Sequence, residues 1–270
     1  MKGTFMKFKT SDGISLDYTD QGTGYPVVFV TGFGGYKEIW TLQVRYLLEM
    51  GYRVVTYDHR NQGASQRVKK NDSFTRLILD LRELIQYLQL EKPILVGHSM
   101  GASICYGYIA KFRQVAGIIG VDQTPKMLNT ATWPFGFMNA TATNYKQVAS
   151  REPRIKETLH GLNRDVLDRL LVQKNRHPFE RSRNIELLEK HFTKDWVSTL
   201  NVSEIPVLLI AAIQSPYYDA KFVDAIAQVN KNVYGAKLNN CGHVIMAELP
   251  KEFNQLLRHF VLKNRHRQVG

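Results

Sequence analysis

Apolar positions along the chain fall into two rhythms. ISLDYTD (14–20) alternates apolar with polar residues, the pattern of a half-exposed strand. PVVFV (26–30), YRVVTY (52–57), PILVG (93–97), VAGIIGV (115–121) and IPVLLIA (205–211) are short and almost continuously apolar, which predicts parallel strands covered on both faces. NVYGAKL (232–238) is a weaker strand candidate. The stretches between carry helical spacing. EIWTLQVRYLLEM (38–50) stops before Gly51, a good C-terminal cap. SFTRLILDLRELIQYLQL (73–90) sets Leu77, Leu81, Leu84 and Leu88 on one face, behind a capping Ser73 or Asp72. ASICYGYIAKF (102–112) follows PILVG with almost no loop, and LPKEFNQLLRHFVLKN (249–264) opens on a proline near its first turn. This alternation predicts an α/β fold: a mainly parallel, twisted sheet of about eight strands flanked by helices.

The rhythm breaks between 123 and 204. That segment has helical stretches, such as NRDVLDRLLVQKN (163–175) and RSRNIELLEKHF (181–192), but no strong strand. It predicts a helical cap or lid inserted after strand six, with residues 1–122 and 205–270 forming the core domain. The early part of the insertion, TWPFGFM (132–138), is strongly apolar and aromatic and needs something to cover. Trp133, Phe135 and Met138 are therefore candidates for lining a substrate pocket.

Bulk composition narrows the field. A chain of 270 residues, 44% hydrophobic and 22% charged, suits a soluble globular protein with an ample core. The opening MKGTFMKFKTSDG shows no charged-then-apolar leader, and no run approaches 18 apolar residues. Secretion and membrane spanning are not expected. Cys105 and Cys241 make neither a disulfide framework nor a metal motif and read as reduced thiols, which points to a cytoplasmic protein. The net charge of +12 raises nucleic acid as a partner. Yet residues 143–194 carry 12 basic against 7 acidic side chains, spread without a basic stripe or aromatic interleaving. A solvated basic surface is the better reading, with no specific nucleic-acid partner.

The strongest local signal is ILVGHSMGAS (94–103), a G-x-S-x-G between a buried strand and a helix. The turn is too tight for larger side chains at Gly97 and Gly101, and it displays the Ser99 hydroxyl at a helix N-terminus that favours negative charge. A serine hydroxyl needs a base to become a nucleophile. Of eight histidines, His243 stands out, on a loop between the last strand and the last helix. His98 is the x of the motif and packs behind it. His59 is a minor competitor, and His160, His177, His191, His259 and His266 fall in helical or surface contexts. Two backbone N–H groups are needed for a tetrahedral oxyanion. Met100 follows the nucleophile, and Phe33 sits in TGFGGY (31–36), whose glycines let the backbone turn inward.

These segments carry a family resemblance over nearly the whole chain. GHSMG resembles the nucleophile elbow of α/β-hydrolases, TGFGG their oxyanion loop, DHRNQGAS (58–65) the loop after their fourth strand, and NCGHVIMAELPKEF their histidine segment. Thr31 replaces a usual histidine and Asn61 a usual glycine; neither removes a catalytic atom. The resemblance is closest to small bacterial esterases and cofactor-free haloperoxidase-like members. It implies a Ser-His-Asp triad in chain order Ser, acid, His. The usual acid would fall near Gln214 or Ser215, where there is none. The fold permits a second place, one strand earlier, and that strand ends in Asp122. Asp219 is the rival, read more simply as a helix cap, and a dyad without acid is the third reading.

The expected activity is that of a carboxylesterase on small acyl esters through an acyl-enzyme, with no metal or organic cofactor, acting as a monomer or homodimer. Perhydrolase (haloperoxidase-like), lactonase or carbon–carbon bond hydrolase chemistry would use the same groups. Dehalogenase and epoxide hydrolase chemistry is disfavoured, because those members carry aspartate where Ser99 stands. A non-catalytic protein that binds a small ligand is the reading from another class.

Overall fold

The computed structural model describes residues 6–69, 73–151 and 155–265. Asp72, His266 and the end of the basic tail lie outside them. In chain order the elements are β1 (Met6–Lys9), β2 (Ser15–Gln21), β3 (Pro26–Val30), α1 (Thr41–Glu49), β4 (Arg53–Tyr57), α2 (Phe74–Tyr87), β5 (Ile94–His98), α3 (Met100–Lys111) and β6 (Gly117–Val121). There follow α4 (Tyr145–Ser150), α5 (Arg164–Arg176), α6 (Ile185–Phe192), α7 (Val197–Asn201), β7 (Val207–Ala212), α8 (Phe222–Ala227), β8 (Val233–Leu238), α9 (Ile245–Glu248) and α10 (Pro250–Asn264).

The eight strands form one sheet in the order β1-β2-β4-β3-β5-β6-β7-β8. β2 is antiparallel to both β1 and β4; every later pairing, from β3–β4 to β7–β8, is parallel. Continuous apolar runs suit the interior because successive side chains point to opposite faces and both faces are covered. In β3, Val27 and Phe29 enter one core while Val28 and Val30 enter the other. β1 escapes the sequence pattern: it is four residues long, and only Phe8 is buried.

α2 buries Phe74, Leu77, Ile78, Leu81, Leu84 and Ile85, and its start is capped by the Ser73 hydroxyl, which accepts from Arg76 N at 3.1 Å. Where the sequence rhythm breaks, the chain leaves the sheet between β6 and β7 and carries α4 to α7. The two ends of this excursion are tied together: Trp196 N donates to the Pro125 carbonyl at 3.0 Å, and Lys126 Nζ meets Asp195 Oδ2 at 3.0 Å. Among the described residues no helix is long and apolar enough to cross a membrane.

The DHRNQGAS loop is a structural device. Asp58 accepts Lys37 N at 2.8 Å and Ala64 N at 3.0 Å, and a Cβ on Gly63 would lie 2.0 Å from its carboxylate. Asn61, in place of the usual glycine, holds φ 65°, a value asparagine tolerates, and accepts Val68 N at 2.6 Å. Buried beside this loop, the Lys37 ammonium bridges Asp17 at 2.5 Å and Asp58 at 2.9 Å. Burial works against its charge, but Asp58, Glu38 and Asp17 prevail and raise its pKa above the usual lysine value. Replacing Lys37 with Met leaves two buried carboxylates facing each other. Unfolding in urea is expected to show a loss of about 3–5 kcal/mol.

Candidate active site

The elbow is as cramped as its sequence requires. A Cβ on Gly97 would lie 2.4 Å from the Gly101 carbonyl oxygen, and one on Gly101 would lie 2.3 Å from that of Val30. Between them Ser99 adopts φ 53° and ψ −128°, a conformation that side chains other than glycine rarely take. Its amide donates to the Val121 carbonyl at 2.9 Å, which fixes the turn to the end of β6. The TGFGG loop closes in from the other side: a Cβ on Gly32 would lie 3.0 Å from the Ser99 Cβ. Ser99, Phe33, Met100 and His243 all line one cavity of about 530 Å³.

Asp122 also has a positive φ, 45°, immediately after β6, and it is fully buried. Its Oδ2 lies 2.7 Å from His243 Nδ1 and accepts the Ser215 hydroxyl at 2.6 Å, while Oδ1 accepts Ala212 N at 2.9 Å. The end of β7 and the acid-free loop after it thus supply donors to an acid that follows β6. A carboxylate accepts only, so His243 Nδ1 is the donor of this bond, which in the neutral ring leaves Nε2 as the acceptor. Asp219 is exposed and occupied elsewhere, accepting Lys221 N at 2.9 Å just before α8.

Two further histidines brace this arrangement. His98 Nε2 donates to the His243 carbonyl at 3.0 Å, with the two rings 4.5 Å apart. His59 Nε2 donates to the Thr31 carbonyl at 3.0 Å and so backs the glycine-rich loop from outside the cavity. Burial lowers both pKa values, His59 to about 4 and His98, also beside His243, well below its ordinary value. Both rings are neutral.

None of Trp133, Phe135 and Met138 lines the cavity; their neighbour Phe137 does, together with Met127 and Phe192. The reason is a tight turn pinned by Asn129. Its side chain accepts Gly136 N at 2.9 Å and donates to the Met138 and Ala140 carbonyls, both at 3.0 Å. Trp133 is turned into the core, where its indole N–H donates to the Lys126 carbonyl at 3.0 Å, and Met138 faces solvent. Phe137 stacks on Tyr217, ring centres 5.0 Å apart. Tyr217 was not singled out by sequence. Its ring stands edge-on to His243 at 4.8 Å, and its hydroxyl donates to Glu157 Oε1 at 2.7 Å. The aromatic pair in SPYY, placed straight after the acid-free loop, is the signal that marks it.

The sequence profile of the alpha/beta hydrolase fold matches residues 25–250. The chain belongs to the α/β-hydrolase family. Within it, a non-heme haloperoxidase of Rhodococcus erythropolis is 30% identical over 154 residues, 53% of this chain and 56% of that protein. The chain spans about half the length of such curated relatives. Two solved structures share the fold: a bromoperoxidase from Bacillus anthracis (TM-score 0.80, 23% identity, 96% of this chain and 100% of that one) and an esterase from Exiguobacterium antarcticum (TM-score 0.77, 20% identity, 96% and 99%).

The neutral histidines make stability depend on pH. His59, His98 and the buried His191, whose pKa burial lowers to about 3, all bind protons more readily in the unfolded chain. Their contribution is complete above the unfolded value of about 6.5. It is lost as pH falls toward 4, at up to about 1.4 kcal/mol per pH unit for each. Thermal melts from pH 7 to 4.5 are expected to show this fall, and His59→Gln, which keeps a donor for Thr31, to flatten it.

Proposed function

We propose that this α/β-hydrolase is a serine esterase acting on small acyl esters. The observation that carries the reading is the buried contact of His243 Nδ1 with Asp122 Oδ2 at 2.7 Å, beside a cavity shared by His243 and Ser99. Ser99 Oγ attacks the acyl carbonyl and gives its proton to His243 Nε2. Asp122 holds the imidazole in the tautomer that can take it and stabilises the cation that forms. The Phe33 and Met100 amides receive the oxyanion, each contributing on the order of 10²–10³ in rate. His243 then protonates the leaving alcohol and activates the water that releases the acid. The excursion at 123–204 serves as a lid, and Phe137, Met127 and Phe192 bound the acyl group.

A second reading draws on the names of the relatives. In a perhydrolase, hydrogen peroxide replaces water at the acyl-enzyme and the product is a peracid. The same residues serve both reactions, so only the second nucleophile separates them.

The test uses p-nitrophenyl esters of increasing chain length and a fluorophosphonate probe. Wild type is expected to turn over short esters and to be labelled at Ser99, with both lost in Ser99→Ala. A folded wild type that is inert to esters and probe alike would favour a ligand-binding protein. Phe137→Ala is expected to shift preference toward longer acyl chains. An unchanged preference would remove Phe137 from the acyl site.

A further inference from the structure

We infer that residues 157–160 form a strap that positions His243, with Glu248 as its bolt. This rests on the esterase reading, in which His243 is the base. The strap belongs to the excursion between β6 and β7, in a stretch with neither helix nor strand, so its backbone groups must find partners elsewhere. They find them on the histidine loop. The Glu157 carbonyl accepts His243 N at 2.7 Å. Gly242 fits directly beneath it: a Cβ there would lie 2.2 Å from that oxygen.

Glu248, at the end of α9, locks the two segments together. Its Oε1 accepts Leu159 N and His160 N, each at 2.6 Å, and its Oε2 accepts Gly242 N at 2.8 Å. Three N–H groups from two segments converge on one carboxylate, a strongly favourable charge-assisted arrangement. Further bonds flank the bolt. His160 Nε2 meets Asn240 Oδ1 at 2.8 Å, and Asn163 N donates to the Ala247 carbonyl at 2.9 Å. On the cavity side the Glu157 carboxylate accepts the hydroxyl of Tyr217, whose ring stands against His243. The excursion therefore grips the base from its backbone side, while Asp122 and His98 hold it from the sheet.

Glu248 lines no part of the cavity and acts only through position. Without its carboxylate, Leu159, His160 and Gly242 lose their acceptor, and the strap is free to lift. His243 then samples orientations in which Nε2 misses the serine. Substrate binding changes less, because Glu157 is the one strap residue in the cavity wall and the rest of that wall is held by other elements. In Glu248→Gln one oxygen still accepts, but the amide nitrogen replaces an acceptor with a donor, so the loss is intermediate.

The experiment measures p-nitrophenyl ester kinetics for wild type, Glu248→Ala, Glu248→Gln and Arg45→Ala. The last breaks the α1–α5 ion pair with Asp165, a solvent-exposed tie between excursion and core that lies outside residues 157–160. Alongside, NMR follows the low-field proton of His243 Nδ1. For Glu248→Ala, kcat is expected to fall roughly 10- to 100-fold with KM little changed, the scale on which a small misplacement acts. Its Nδ1 proton signal is expected to broaden or vanish. Glu248→Gln is expected to fall between, and Arg45→Ala to match wild type. Wild-type kcat and an intact proton signal in Glu248→Ala would overturn the strap, as would a loss seen only in KM. If Glu248→Ala does not fold, Glu248→Gln carries both readouts. If wild type hydrolyses no ester, the esterase reading fails, while the proton signal still decides whether the strap holds the imidazole.

Discussion

The hydrogen bond between His243 and Asp122 joins two loops at the carboxyl edge of the sheet, and the geometry of the cavity follows from it. A buried carboxylate is costly without donors on every side. Asp122 has three: the imidazole, the amide of Ala212 and the hydroxyl of Ser215. The last two come from the end of β7 and the loop after it, so that loop is shaped to solvate an acid on the neighbouring strand. An acid at position 215 would place a second negative charge against the first. The missing carboxylate after β7 and the carboxylate at the end of β6 are two sides of one arrangement.

Around that bond the histidines divide by environment. His98 and His59, both buried, are neutral donors to single carbonyls, one on the His243 residue itself and one on Thr31. They fix the backbone on either side of Ser99. The family's usual histidine at position 31 is absent, and the loop is held from behind by His59 instead. Backbone strain is built in at the same place: Ser99 and Asp122 both have positive φ, at the ends of adjacent strands linked by the Ser99 amide and the Val121 carbonyl. A rigid sheet interior keeps both in a conformation that neither would adopt alone.

The core strands were legible because burial on both faces leaves an unbroken apolar run, and β3 through β7 all have one. The elbow was legible because its glycines answer local contacts, with Val30 and with each other. β1 was not: four residues with one buried side chain carry too little periodicity. The aromatic stretch 132–138 was legible as apolar but not in its facing. Whether Phe137 or Met138 points inward depends on the turn pinned by Asn129, which periodicity does not encode. Tyr217 and Glu248 were missed for another reason. Each acts through a partner distant in sequence, Glu157 for one and Leu159 and His160 for the other; the SPYY aromatics point to Tyr217, but nothing local marks either pairing. Asp122 was reached from the family resemblance, which supplied a second place to look; the three donors that surround it are visible only in three dimensions.

The most direct test compares Asp122→Asn with Asp219→Asn at pH 7, using a short p-nitrophenyl ester and confirming that both variants are folded. With the acid on β6, Asp122→Asn loses about 10⁴-fold in kcat, the scale of the corresponding loss in serine proteases, and Asp219→Asn retains wild-type turnover. Equal turnover in Asp122→Asn and wild type, or a larger loss in Asp219→Asn, would contradict it.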